Sequence, residues 1–135
     1  MYEDFVTYEL AVKLKEKGFD EPCFGWYYPS EVCGFDYKTT VVFNNGEYRG
    51  SNYKDMLVSH KDEKYIDAPT ISQVLKWLRE EKKIAINIEY IPYVWQYKIF
   101  DISFEDRFNP YGLTLYSNYE EAALDGIKYV LDNLI

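Results

Sequence analysis

The sequence predicts a single α+β domain over residues 1–135, in which a small antiparallel sheet of four or five strands packs against three helices. Three segments repeat apolar residues at the helical spacing of three and four. Other segments alternate apolar with polar residues and are joined by short turns. With 47% hydrophobic and 28% charged residues, the chain can bury a core of its own. Strands that pair through short turns, with helices left to cover one face, are typical of α+β domains.

The first predicted helix covers residues 7–17. Thr7 is one candidate N-cap, because its hydroxyl can accept a hydrogen bond from an amide of the first turn, and Asp4 is an alternative start. Gly18 follows the last turn, where a left-handed residue commonly ends a helix.

A β-hairpin is predicted near residues 37–49. The run YKTTVVF is β-branched and aromatic, and the Asn-Asn-Gly sequence that follows it favours a tight turn. Residues 50–67 are polar around one short apolar run, and we expect them to form a mobile excursion.

The second half of the chain predicts a helix over residues 71–83, a hairpin over 84–104 and a helix over 118–133. Isoleucines alternate with smaller or polar residues from Ile84 onward, which predicts a half-buried strand. In the returning strand, Phe100, Ile102 and Phe104 are expected to share one face, and Asp101 and Ser103 the other.

The last predicted helix opens with a capping box that begins at Ser117. Gly126 lies inside this helix, although glycine there costs about 1 kcal/mol relative to alanine. A close approach between helix and sheet is one reason for it.

Charge and processing signals narrow the classes of function. The formal net charge of −8 argues against direct binding to nucleic acid, because neutralising phosphates needs a cationic surface. The opening residues MYEDF lack the features of a secretory signal, and no apolar run approaches the length of a membrane span. We therefore expect a cytoplasmic protein without a membrane partner, in which Cys23 and Cys33 are reduced.

Three stretches carry a resemblance to known sequences. They are VTYELA through LKEKGF at residues 6–19, APT through KWLREE at residues 68–81, and YEEA through the closing Leu131 and Ile135. In this order they resemble a family of small uncharacterised proteins of Bacteroidetes genomes and their phages or mobile elements. The resemblance implies an intracellular accessory protein and supplies no catalytic residues.

The residues capable of catalysis do not form a recognisable set. His60 is the only histidine, and Cys23 could act as a nucleophile only if the fold brought the two together. The usual transition-metal site needs several His or Cys ligands, and no phosphate-binding glycine motif is present. Whether the chain is an enzyme therefore stays open, although the sequence favours a protein that is not one. We expect no cofactor and no metal.

Aromatic residues make up 19% of the chain and give the strongest functional indication. Neighbouring aromatics on an extended segment point to alternate sides, so some of them are expected to line a surface. The alternative is a small satellite core, and Trp77 in particular lies next to a core stripe. The candidate binding surface consists of Trp26, Tyr27, Tyr28, Trp77, Arg79, Tyr93 and Trp95.

The function predicted from these features is a non-enzymatic intracellular binding or adaptor protein of phage or mobile-element type. Its partner is a protein, and a second copy of the chain is one candidate. Two alternatives remain open. One is an acidic inhibitor that mimics nucleic acid and occupies a host protein. The other is a small enzyme that uses carboxylates or a Cys/His pair.

Overall fold

A computed structural model describes five stretches of the chain, two of them by their backbone alone (42–43 and 106–108). The stretches are 4–27, 42–43, 65–102, 106–108 and 114–135. Within them, three helices and six strands confirm the α+β class. The strands form two antiparallel sheets of three strands each, where the sequence predicted one sheet. The chain divides into two compact units, and the single domain stays a prediction.

The first unit, residues 1–70, begins with helix α1 (Tyr8–Glu16), which confirms the predicted helix. The Thr7 hydroxyl accepts a hydrogen bond from the Leu10 amide at 3.4 Å, as expected of an N-cap. Gly18 has φ 94°, and the amides of Gly18 and Phe19 donate back to carbonyls of the last turn. These two bonds form a Schellman motif, so the helix ends where the sequence predicts.

Three short strands complete the first unit: β1 (Gly25–Tyr27), β2 (Val42–Phe43) and β3 (Ile66–Ala68). They lie in the order β2-β1-β3 and pair antiparallel. Most of the hairpin predicted near 37–49 lies outside the described residues, and its described part pairs with β1. Of the predicted excursion 50–67, the last two residues belong to strand β3.

The core of the first unit is built from the apolar face of α1 and the inward residues of β1 and β3, which pack together. Its buried side chains are Phe5, Val6, Leu10, Ala11, Leu14, Phe19, Cys23, Tyr27, Ile66, Ala68 and Pro69.

The second unit, residues 71–135, contains α2 (Ile71–Glu81), β4 (Ile84–Ile91), β5 (Val94–Asp101), β6 (Asp106–Phe108) and α3 (Tyr119–Asn133). The strands lie in the order β4-β5-β6, so the predicted hairpin is confirmed and a third strand extends it. Both helices contact β4, and α3 also contacts β5.

The ends of both helices differ slightly from the prediction. Helix α2 ends at Glu81, two residues early, and Lys83 adopts the left-handed φ of 58° before the strand begins. Helix α3 is capped by Asn118 rather than Ser117, because the Asn118 side chain accepts the Glu121 amide at 2.8 Å. The Ser117 hydroxyl donates instead to the Glu121 carboxylate at 2.9 Å.

Gly126 allows α3 to approach the sheet closely. A Cβ atom at this position would lie 3.1 Å from Ile86 Cγ2 and 3.1 Å from Tyr97 Cγ. The predicted reason for a glycine inside this helix is therefore confirmed. The contact also identifies the face of the sheet that α3 covers, which we call the helix-covered face.

Ile99, rather than Phe100, lies on the buried face of β5. Ile99 is fully buried and shares the helix-covered face with Trp95 and Tyr97. Phe100 is half-buried on the other face, and Ile102 is 46% exposed beyond the strand end. Phe104 lies outside the described residues.

Among the helices of the described ranges, none is long and apolar enough to cross a membrane.

Candidate functional site: the aromatic tip of a β-hairpin

The turn between β4 and β5 places a tyrosine where the backbone favours glycine. Ile91 and Val94 face each other across a loop of two residues, Pro92 and Tyr93. The proline ring holds φ near −65°, and Tyr93 has φ 76°. This pair of angles is typical of a type II turn, whose second central residue is commonly Gly or Asn. A positive φ is an outlier for a bulky residue, so this turn stores backbone strain.

The same turn exposes four consecutive apolar residues, which we call the hairpin tip and define as residues 90–93. Tyr93 is 91% exposed, Tyr90 59% and Ile91 37%, and Pro92 is exposed between them. Single exposed apolar residues are ordinary on protein surfaces, but adjacent ones that form a patch commonly mark an interaction site.

A cluster of aromatic rings supports the hairpin tip from the helix-covered face. The Tyr93 amide donates a hydrogen bond to the Tyr90 hydroxyl at 3.1 Å. The ring of Tyr90 lies 5.1 Å from that of Trp95, which meets the Tyr119 ring edge-to-face at 5.6 Å. The tip is thus held by ring packing that reaches the first turn of α3.

Tyr116 fixes the outer side of β5. Its amide and carbonyl exchange hydrogen bonds with those of Trp95, at 2.8 and 2.9 Å. Its hydroxyl donates to the Asp125 carboxylate, and its ring lies 6.0 Å from that of Tyr97. Burial and then the bond to Asp125 raise the pKa of Tyr116, so the phenol stays protonated near neutral pH. It therefore acts as a hydrogen-bond donor that holds this segment in place.

The charged groups near the tip are mainly acidic. Glu120 and Glu121 follow Tyr119 in the first turn of α3. On the opposite face of the hairpin, Glu89 accepts a hydrogen bond from the Gln96 amide group at 2.8 Å and lies 3.1 Å from the Lys98 ammonium. The Glu89 charge is thereby paired, whereas the first turn of α3 contributes negative charge beside the tip.

In the first unit, the structure separates the predicted aromatic residues by burial. Tyr27 is only 4% exposed, and its hydroxyl donates to the Val6 carbonyl at 2.7 Å. Burial, and then the charge of Glu9, raise the pKa of Tyr27 to about 12. Trp26 is half-buried on β1, and Tyr28 lies outside the described residues. Tyr27 therefore offers little surface to a partner and serves the core.

In the second unit, the predicted residues Trp77 and Arg79 lie on α2. Trp77 is 3% exposed, and the Lys82 ammonium lies 5.4 Å from the centre of its ring, a cation–π contact. Arg79 is exposed. Of the predicted surface, Tyr93 is exposed at the hairpin tip, and Trp95 is half-buried below it, where its ring packs against that of Tyr90.

The environment of Cys23 opposes the chemistry of a nucleophile. The thiol is buried and donates to the Glu21 carbonyl at 3.3 Å. Burial, and then the charges of Asp67 and Glu21, raise its pKa, whereas a reactive cysteine needs a lowered one. His60 and Cys33 lie outside the described residues. Across the described stretches, no group of three or more His, Cys, Asp or Glu residues is arranged to hold a metal ion.

Sequence reasoning missed several members of the aromatic cluster. Tyr90 ends the alternating run of β4, and its position next to the turn leaves it exposed. Tyr116 and Tyr119 come from a distant segment, and only the fold brings them to Trp95. The run Tyr-Ile-Pro-Tyr was an available signal, because a proline turn exposes the residues beside it. No family model, curated protein or solved structure matches the chain.

Proposed function

We propose that this chain is a non-enzymatic intracellular binding protein, an adaptor of phage or mobile-element type, that contacts a protein partner through the hairpin tip. The observation that carries the proposal is the combination of strain and exposure at Tyr93. Its left-handed φ of 76° is unfavourable for tyrosine, and a side chain that is 91% exposed recovers little by packing. Strain that the fold does not need is often found at functional sites.

The geometry of the tip suits contact with another protein. Tyrosine offers a large rigid area with few rotatable bonds, so ordering it on binding costs little entropy. Because Tyr90 and Trp95 pack against each other, the base of the tip is already ordered before any partner arrives. Preorganisation of this kind reduces the cost of association.

Charge favours a partner with a basic surface. The chain carries a net −8, and Glu120 and Glu121 lie in the helix turn that contacts Trp95. Exposed tyrosine faces also attract Arg and Lys cations. A basic protein segment with an adjacent apolar side chain would satisfy both the aromatic and the acidic parts of this surface.

The experiment that tests the proposal has two stages. A photo-crosslinking amino acid at position 93 first captures a partner from host lysate. The partner is then purified and titrated by calorimetry against the intact chain. We expect Tyr93→Ser to weaken this defined complex by about tenfold or more, as the loss of a central tyrosine contact commonly does.

Ile102→Ser is the matched control, because Ile102 is a 46% exposed apolar residue at the other end of the same hairpin. It should leave the affinity unchanged. Equal affinities for the wild type and for Tyr93→Ser would contradict the proposal. The alternatives, an acidic mimic of nucleic acid and a small carboxylate or Cys/His enzyme, stay predictions.

A further inference from the structure

Strand β4 is a long edge strand. It pairs with β5 over eight consecutive residues without interruption and lies at the end of the order β4-β5-β6. Among the described residues, no other strand lies along its outer edge. An edge of this kind presents unpaired amides and carbonyls to any second extended segment.

The alternation of hydrogen bonds identifies which backbone groups are free. Residues that flank a two-residue turn bond to each other, and the pattern then alternates along the ladder. Ile91 and Val94 flank this turn, and the Ile102 amide donates to the Lys83 carbonyl at 2.8 Å in the same alternation. The residues of β4 that direct their amides and carbonyls outward are therefore Ile84, Ile86, Ile88 and Tyr90.

The features that normally protect an edge strand are missing from β4. Its sequence IAINIEYI contains no proline and no lysine, and its register shows no bulge. Its one charged residue, Glu89, is held by Gln96 and Lys98. Asn87, at the middle of the strand, is exposed. Among the described residues, the edge is thus long, regular and without a partner strand.

We propose that β4 pairs antiparallel with β4 of a second copy of this chain, with the two-fold axis at Asn87. In this register Asn87 faces Asn87 of the second copy, and Ile86 faces Ile88. Ile84 faces Tyr90, so all four outward residues are used and about eight hydrogen bonds form. A register shifted by two residues leaves at least one of these pairs unmade.

Charge and side-chain type are compatible with this register. Glu89 would face Ala85 of the second copy, so like charges do not meet across the new ladder. Isoleucines would adjoin isoleucines on the helix-covered face. Tyr90 is 59% exposed in the described chain and would gain Ile84 of the second copy as a neighbour. The surface is therefore self-complementary, as a two-fold interface must be.

Dimerisation would give the protein two hairpin tips. Each Tyr93 would lie about 40 Å from the other, since the register separates them by twelve strand positions of about 3.4 Å each. Two tips on one particle can engage two partners, or one partner twice with higher avidity. Self-pairing of β4 uses the backbone of Tyr90 but nothing of Tyr93, so the Tyr93 contact can fail while the dimer stands, and the reverse.

Sedimentation equilibrium of the full chain tests the dimer. We expect the mass to rise from 16.1 kDa toward twice that value, with a dissociation constant of about 1–100 µM because an eight-residue edge makes a small interface. Asn87→Glu and Asn87→Lys should each weaken association by about tenfold or more, because like charges would meet at the axis. An equimolar mixture of the two variants should restore the dimer.

Thr114→Glu is the charge control, because Thr114 is exposed and lies two residues before Tyr116, which pairs with the other side of β5. It should leave the dimer intact. A wild-type chain that stays monomeric throughout this concentration range would overturn the proposal. So would a dimer that tolerates both charges at position 87.

A disulfide checks the register independently. Opposed residues of a pair without hydrogen bonds have Cα atoms about 4.5 Å apart, which a disulfide can span. Under oxidation, Asn87→Cys should give a covalent dimer on a non-reducing gel above the wild-type background. Ala85→Cys should not, because it would face Glu89. A covalent dimer with Ala85→Cys and none with Asn87→Cys would refute this register.

Discussion

Replacing Tyr93 with glycine separates the role of the side chain from the stability of the fold. Glycine adopts a φ of 76° without steric cost, whereas tyrosine and alanine do not. The hydrogen bond to the Tyr90 hydroxyl is donated by the backbone amide of residue 93, so the glycine variant keeps it. We expect Tyr93→Gly to be about as stable as the wild type or more so, and to lose affinity for the partner. Tyr93→Ala should lose the affinity and keep the strain.

The magnitude follows from three contributions. Relief of the left-handed conformation contributes roughly 1–2 kcal/mol. The additional chain entropy of glycine costs about 0.5–1 kcal/mol. Tyr93 is 91% exposed, so the contact surface lost is about 20 Å², or about 0.5 kcal/mol. Tyr93→Gly should therefore lie between about 0.5 kcal/mol below and about 1 kcal/mol above the wild-type stability. At the midpoints of these ranges it lies about 0.75 kcal/mol above Tyr93→Ala.

Urea denaturation followed by circular dichroism measures these differences. Thermal melting should show the same order, with Tyr93→Gly melting about 2–5 °C above Tyr93→Ala. A glycine variant less stable than the alanine variant would refute the argument, because strain at position 93 would then be absent. A glycine variant that keeps full affinity would instead remove Tyr93 from the binding surface.

Three further outcomes follow from the described contacts. Tyr27→Phe should cost about 1–2 kcal/mol below pH 10 by removing a buried hydrogen bond. The folded pKa of Tyr27 is raised to about 12, so stability that depends on the protonated phenol is lost as pH rises from 10 through 12. Urea titrations at several pH values should show the gap between wild type and variant shrinking above pH 10. Gly126→Ala should lower the melting temperature by the equivalent of about 1 kcal/mol, because crowding against the Tyr97 ring outweighs the gain in helix propensity. A Cys33→Ser chain should react with a thiol reagent only after urea unfolds it, because Cys23 is buried; rapid reaction of the native chain would contradict that.

Local signals predicted the parts of the fold that local interactions determine. The cap at Thr7 and the left-handed Gly18 set the ends of α1 by backbone hydrogen bonding within a few residues. The cap of α3 was displaced by one residue, because both Ser117 and Asn118 carry an oxygen that can accept an amide. The β4–β5 hairpin could be predicted in the same way, because both strands adjoin one proline turn.

Pairings between distant segments could not be predicted from local sequence signals. Strand β1 has three residues and pairs with Val42–Phe43 and Ile66–Ala68, which no local pattern links to it. In β5, apolar residues occupy both alternating positions, so the pattern could not tell that Ile99 rather than Phe100 faces the helices. The helices that cover one face decide that choice.

The candidate site was predicted in part for the same reason. An excess of aromatics identifies segments that contain surface or core rings, but it does not distinguish the two. Tyr27 and Trp77 are core residues. The Tyr27 hydroxyl donates a hydrogen bond to a main-chain carbonyl, and the Trp77 ring is contacted by a lysine. Tyr93 is exposed because a two-residue turn offers no core in which its side chain could be buried.

Two departures from ordinary protein design occur on the same hairpin. The turn has tyrosine where glycine would be less strained, and the edge strand lacks the residues that block pairing. Neither feature is needed for the fold of the second unit, whose core is formed by α2, α3 and the isoleucines of the sheet. If each feature serves its own contact, a substitution that removes one contact should leave the other intact. Tyr93→Gly should abolish partner binding without changing the mass of the dimer. Asn87→Glu should produce a monomer whose single tip still binds with unchanged affinity for one site. A monomer that had lost that affinity as well would show that the tip and the edge form one surface.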